Sequence, residues 1–364
     1  MKKINTILCC TAIVASLCSC SSKNNFTING TVNDANSDGM KVYLIDTQND
    51  NQVVDSTEVK DGTFCFKGSV DEPWLGAINC DLFAQKCIVE PGVINVTAET
   101  MGGTPLNDKL QEMNNQLDMA DIEAQMQEYL PLYYSAPDAT QRAAAERVLD
   151  SLQEVGNNRI VEACWQLYAD NRDNVLSEVA MENICQAAEL TYSQLDSIVK
   201  AAEPRIGANK RVQRKLEQLR NVEATSEGKH YVDVQGVDGK LSDLIEGRVA
   251  LVDFWASWCG PCRNEIKDNL VPLWEKYRNK GLVIVGLNVW ERGDRAAREA
   301  AHQGAVEKLG ITYPQLVDST RTATDTYGVR GLPQIMLIGP DGTILARDLR
   351  GAAIEEAVIN ALGK

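Results

Sequence analysis

The run Val249-Ala250-Leu251-Val252-Asp253-Phe254-Trp255 is apolar at six of seven positions, and Cys259-Gly260-Pro261-Cys262 begins four residues after it. A strand apolar on both faces needs cover on both sides, as at the centre of a sheet with helical crossovers. Leu282-Val283-Ile284-Val285-Gly286-Leu287 repeats the pattern, and Asn264 to Lys280 between the two reads as a helix. Gln334 to Ile338, the turn Pro340-Asp341-Gly342 and Thr343 to Ala346 read as a terminal hairpin, closed by a helix from about Ala352 to Leu362. The last zone is therefore expected to be an α/β sheet.

Two cysteines at this spacing, on a strand-to-helix junction, form a small reversible disulfide. Cys259 falls at a helix N-terminus, where unpaired N–H groups stabilise a thiolate. Cys262, one turn in, is expected to be shielded and to act second. Half of a zinc site is the main competing reading. It fails for want of a second ligand pair: no other CxxC, CxH or HxxxH spacing occurs, and the histidines are only His230 and His302. A purely structural role is disfavoured, because so tight a loop constrains the unfolded chain little.

At 364 residues the chain has room for two or three domains. Residues 26 to about 100 alternate short apolar segments with turns. Phe26–Val32, Lys41–Ile45 and Thr63–Phe66 read as strands, and Asp38-Gly39, Asp61-Gly62 and Pro91-Gly92 as turns, giving an all-β, sandwich-like domain. From Pro105 to Val222 the period becomes helical, with Gln141–Val155 behind a cap at Asp138, then Val175–Leu190 and Val212–Leu219. That zone reads as a spacer, a dimerisation surface or a substrate-facing platform, with nothing to choose among them. The net charge of −15 and the lack of a basic cluster exclude nucleic acid as a partner.

The first residues read as an address. Met1-Lys2-Lys3 precedes an apolar run from Ile4 to Leu17, too short for a membrane span and suited to a secretory signal. Leu17-Cys18-Ser19-Cys20 resembles the lipobox of bacterial lipoproteins, which implies a signal peptide over 1–19, lipidation of Cys20 and a tether over 20–25. The expected location is the cell envelope, lipid-anchored and facing the periplasm, where disulfides persist.

The stretch Val252 to Cys262 resembles the active-site segment of thioredoxins, and Tyr327-Gly328-Val329-Arg330-Gly331-Leu332-Pro333 resembles their loop ending in a cis-proline. The resemblance covers roughly the last 140 residues and implies a thioredoxin-like fold over 223–364. It also implies strand-like pairing of a substrate chain with the backbone before Pro333, supplied by Gly331 and Leu332, and apolar contact from Trp258. The insertion between Leu287 and Tyr313, with the extracytoplasmic address, is similar to the membrane-tethered TlpA/ResA reductases. Val89-Glu90-Pro91-Gly92 and Gly103-Thr104-Pro105-Leu106-Asn107 resemble a domain of unknown function that precedes such domains in Gram-negative lipoproteins. The domain boundaries expected are then 26–102 for the β domain, 103–222 for the helical domain and 223–364 for the thioredoxin-like domain.

The same resemblance gives Asp253 the role of deprotonating Cys262, since a carboxyl in apolar surroundings has a raised pKa suited to proton transfer near neutrality. Where thioredoxins carry a lysine near this aspartate, this chain has Gly286, so Asp253 is expected to ionise with more difficulty. Gly260-Pro261 between the cysteines is similar to reducing thioredoxins. The function expected is reduction of protein disulfides through Cys259 and Cys262, with no cofactor or metal. The partners are then oxidised or misoxidised periplasmic proteins and a membrane electron donor. The alternatives are an oxidant or isomerase of periplasmic thiols and a thioredoxin-fold binding protein or holdase. A peroxidase is disfavoured because Ala256 stands where peroxiredoxins place a threonine. Cys65, Cys80 and Cys87 are expected as buried free thiols, a Cys164–Cys185 disulfide stays open, and His302 is expected at the surface. Oligomeric state is not legible.

Overall fold

A computed structural model describes residues 24–117 and 119–363; the expected signal segment and the expected lipidation site, Cys20, lie outside them. The described chain divides into two compact units, residues 24–117 with 162–180 and residues 119–161 with 181–363.

The first unit is built on two four-stranded sheets. β1 (Asn25–Thr31), β2 (Lys41–Asp46), β3 (Gln52–Glu58), β4 (Thr63–Ser69), β5 (Trp74–Asn79), β6 (Ala84–Val89), β7 (Gly92–Val96) and β8 (Met101–Gly102) order as β4-β1-β7-β8 and β3-β2-β5-β6. Period-2 alternation sets the faces: Phe64 and Phe66 of β4 turn inward, and Cys65 between them turns outward. Cys65 is therefore an exposed thiol, which corrects the expectation of a buried one; Cys80 and Cys87 are buried free thiols as expected. Gly30 pairs with Phe64 across β1 and β4, and a Cβ there would stand 1.8 Å from the Phe64 ring, so only glycine lets the ring lie flat on the strand.

A helix α1 (Pro105–Gln116) follows β8 and is held by a buried polar knot. Glu90 Oε1 accepts from the backbone N–H of Leu106 (2.8 Å) and Asn107 (3.1 Å), satisfying donors that a helix start leaves orphaned. Asn107 in turn accepts from Ile88 N (2.8 Å) and donates to Ile88 O (2.7 Å) and Thr104 Oγ1 (2.8 Å). The two short motifs at 89–92 and 103–107 thus meet in space, which explains why they occur together.

The remaining helices are α2 (Ala120–Ser135), α3 (Ala139–Asp170), α4 (Leu176–Ala187), α5 (Tyr192–Ala201), α6 (Pro204–Ala208) and α7 (Lys210–Ala224). Their caps are written locally. Asp138 Oδ1 accepts from Gln141 N at 2.8 Å, Thr191 and Gln194 form a capping box, and Asn209 caps α7. The helices do not form a unit of their own: the end of α3 and the start of α4 belong to the first unit, and α2, most of α3 and α5–α7 to the second. Cys185 is a buried free thiol, so no Cys164–Cys185 disulfide forms.

The second unit continues with β9 (Gln235–Gly236), β10 (Gly239–Lys240), α8 (Leu241–Ile245), β11 (Val249–Trp255), α9 (Gly260–Glu265) and α10 (Val271–Tyr277). Then come β12 (Leu282–Asn288), α11 (Arg295–Leu309), β13 (Gln315–Val317), α12 (Thr322–Thr326), β14 (Gln334–Ile338), β15 (Ile344–Ala346) and α13 (Ala352–Leu362). The five-stranded order is β13-β12-β11-β14-β15, with β11 parallel to β12 and antiparallel to β14. Every residue of β11 is buried, as its sequence requires. Val249, Leu251 and Trp255 face one core cluster, which also holds Cys259 and Cys262; Ala250, Val252 and Phe254 face the other. His302 on α11 is half-buried against Trp255, with ring centroids 5.6 Å apart, rather than free at the surface: α11 lies over the sheet instead of looping into solvent.

Candidate functional site: a redox-active cysteine pair

The chain turns from β11 into α9 within five residues. Cys259 occupies the N-cap of α9, Pro261 sits in its first turn, where a missing N–H costs nothing, and Cys259 and Cys262 are joined in a disulfide with Cα atoms 5.3 Å apart. The Cys262 backbone N–H points to Cys259 Sγ at 3.2 Å. On reduction that donor and the helix start stabilise a thiolate at Cys259. Cys259 retains a sliver of accessible surface, and Cys262 has none. A five-residue π turn, Ile266–Leu270, joins α9 to α10, a feature that often accompanies functional sites.

By strand parity Asp253 shares the face of Leu251 and Trp255, the side of the sheet that carries both cysteines. It is fully buried, and neither carboxyl oxygen has a hydrogen-bond partner among the described residues. Burial first, then the neighbouring Glu265 charge, pushes its pKa up to about 8, against the pull of Arg350. Gly286 pairs with Asp253 across β11 and β12, and the Gln315 side chain fills the space above that glycine. Among the described residues, the cation acting on Asp253 is Arg350, from the far end of the chain.

That cation, Arg350, and the acid Glu265 were not legible as site residues. Glu265 is three residues after Cys262 on the same helix, a spacing that was available as a signal. Burial raises its pKa, and its Oε1 accepts from Gly351 N and Asn269 Nδ2 at 2.9 and 2.8 Å. Arg350 donates to Pro333 O, so one guanidinium links the proline loop to the acid pair. The Leu332–Pro333 peptide is cis, Gly331 is exposed, and Leu332 is half-buried against the cluster containing both cysteines.

Trp258 is 42% exposed and held in place rather than loose. Its indole N–H donates to Trp290 O at 2.9 Å, and the Arg292 guanidinium lies 4.4 Å from its ring centroid. Trp290 adopts φ 57°, a left-handed conformation rare for a bulky residue, and this aims its carbonyl at Trp258. Glu291 completes the clamp, accepting from Ser257 N (2.6 Å), Ser257 Oγ (2.7 Å) and Asn288 Nδ2 (2.8 Å). Glu291→Ala leaves those donors without their carboxylate, and an unfolding free energy lower by about 2–3 kcal/mol is expected, read as a lower urea midpoint at unchanged slope.

Among the described residues no cluster of three or more His, Cys, Asp or Glu is placed to hold a metal ion. The arrangement is that of a dithiol/disulfide pair with one guarded and one accessible sulfur, a buried acid behind them and an aromatic platform in front.

Comparison with known proteins agrees with this chemistry. Residues 218–347 match the AhpC/TSA family, and residues 26–110 match a domain of unknown function, DUF4369. Thiol-disulfide oxidoreductase ResA of Bacillus subtilis is 31% identical over 113 residues, covering 31% of this chain and 59% of that protein. Thiol:disulfide interchange protein HelX of Rhodobacter capsulatus is 34% identical over 118 residues, covering 32% and 60%. The chain thus spans less than two thirds of the length of these relatives. Among solved structures, the thioredoxin domain of a thiol-disulfide oxidoreductase from Bacteroides vulgatus is 29% identical with a TM-score of 0.33, covering 37% of this chain and 96% of that one. Residues 218–347 thus carry an AhpC/TSA-type thioredoxin-like domain related to the ResA and HelX thiol-disulfide oxidoreductases, and residues 26–110 a DUF4369 domain.

Proposed function

We propose that this protein is a membrane-anchored, periplasm-facing enzyme that reduces disulfides in other proteins. The observation that carries the reading is the Cys259–Cys262 disulfide at the start of α9, on the face of β11 where Asp253 is buried. Cys259 thiolate attacks a client cystine; a Cys259–client disulfide forms, and the client's other sulfur leaves as a thiolate. Asp253 takes the proton of Cys262, whose thiolate attacks the Cys259 sulfur and releases the second client thiol. Two electrons have passed to the client, and the protein is left oxidised. A membrane electron donor returns it to the dithiol, and its clients are oxidised or misoxidised periplasmic proteins.

The names of ResA and HelX speak for thiol–disulfide exchange rather than peroxide chemistry. Ala256, fully buried three residues before Cys259, offers a methyl where peroxide activation needs a hydroxyl. Anchoring rests on the Leu17–Cys20 lipobox, and no helix among the described residues is long and apolar enough to cross a membrane.

Cys262→Ser removes the resolving sulfur and is expected to accumulate mixed disulfides on Cys259 when the reduced protein meets envelope extract, seen as thiol-sensitive bands on non-reducing gels. Absence of such bands, with Cys259 confirmed reduced at the start, counts against exchange as the activity.

A further inference from the structure

The end of α2 lies beside the cysteine pair, within the same compact unit. Two anchors hold it there. The Tyr133 ring is buried, and the Asn264 side chain, two residues after Cys262, acts on its hydroxyl. Arg142 of α3 forms an ion pair with Asp268 on the π turn and also donates to Ala136 O, the residue closing α2. Both tie the α2–α3 hairpin to the helix that starts at Cys259.

Tyr134 is turned the other way and is 65% exposed. A Cβ on Gly260 would stand 3.7 Å from Tyr134 Cε1, ordinary van der Waals distance, so the ring edge rests over the residue that follows Cys259. Trp258, the residue before Cys259, is also exposed. Cys259 therefore has an open aromatic ring next to each of its chain neighbours, one from its own loop and one from a hairpin more than a hundred residues upstream. Exposed aromatics at a reactive centre are costly to solvate and are the residue types that carry recognition.

We propose that the α2–α3 hairpin is a wall of the substrate site, and that Tyr134 selects protein cystines flanked by aliphatic or aromatic side chains. This rests on the exchange activity proposed above. Tyr134 holds the client's apolar flank against the motif while Cys259 attacks, so its contribution appears in which disulfide is chosen rather than in exchange itself.

The test uses the full chain, with Cys259 and Cys262 intact, and three probes: hydroxyethyl disulfide, a synthetic peptide cystine flanked by leucines, and the same peptide flanked by serines. Tyr134→Ser is expected to lower kcat/KM for the leucine-flanked peptide about tenfold and to leave the other two within about twofold. Tyr134→Phe, which keeps the ring, is expected to retain wild-type preference. Equal losses on all three probes would mean that Tyr134 merely shapes the motif, and no loss on the leucine-flanked peptide would remove it from recognition; either overturns the proposal. A Tyr134→Phe variant as defective as Tyr134→Ser would overturn the role of the ring. Wild-type protein inert toward all three probes would instead defeat the exchange activity on which the proposal rests.

Discussion

Asp253→Asn is expected to make the oxidised protein more stable by about 2–4 kcal/mol at pH 7, while slowing the resolution of mixed disulfides about a hundredfold. Both effects follow from one buried carboxyl. Its folded pKa of about 8 lies far above the unfolded value near 3.9. Between those values the unfolded chain has lost the proton and the folded chain keeps it. The contribution of this carboxyl to stability is therefore greatest below about pH 4 and falls by about 1.4 kcal/mol per pH unit until the folded carboxyl also ionises near pH 8. Asparagine has no proton to lose, so its variant lacks that slope. Its amide is still buried without partners, which is why the gain stays below the full linkage value.

Urea unfolding between pH 5 and 8 checks the stability part. Tryptophan fluorescence reports on the right region, because Trp255, Trp258, Trp274 and Trp290 surround the site and only Trp74 and Trp165 lie outside the domain. For the rate, the fraction of Asp253 able to accept a proton rises about tenfold per pH unit below pH 8, so resolution by the wild type accelerates with pH and levels off near 8. Quenched-flow release of a client from Cys259 should show that rise in the wild type and lose it in the variant. A variant with wild-type rate and slope would assign the base elsewhere.

Asn107→Ala is expected to destabilise the first unit by about 3–5 kcal/mol, a large part of what a domain of this size has. The side chain is fully buried and makes its bonds with Ile88 N, Ile88 O, Thr104 Oγ1 and Glu90 Oε1. Alanine leaves the Ile88 peptide group, itself buried, without partners on either side, and strips Glu90 of one donor. Limited proteolysis should then cut within residues 84–116 at a protease concentration that spares the wild type. Reduction of hydroxyethyl disulfide, which needs only the second unit, is expected to persist. Wild-type resistance to the protease would show that the knot is not what holds α1 to the sheet.

These cases show where sequence reasoning reached and where it stopped. β11 was readable because an all-apolar run has few structural uses, and its neighbours in the motif are within one turn. The terminal helix Ala352–Leu362 was readable for the same reason of local period. β3, Gln52–Glu58, was not: it lies at a sheet edge and is exposed along nearly its whole length, so its residues carry no apolar alternation. α2 falls inside the span read as helical, but its bounds were not legible, because Pro131 stands within it. The outward face of Cys65 could have been read from Phe64 and Phe66 on either side.

The sequence by itself determined the redox pair, the helix start that receives it and the strand parity that puts Asp253 on its side of the sheet. Each is set by spacings of two to six residues, over which backbone geometry leaves little freedom. Only the tertiary structure decided that Arg350 supplies the cation near Asp253, that Glu291 clamps Ser257, and that Tyr134 stands over Gly260. Those pairs are separated by 97, 34 and 126 residues. Their proximity comes from how whole faces of helices and sheet bury against one another, and no local spacing encodes it.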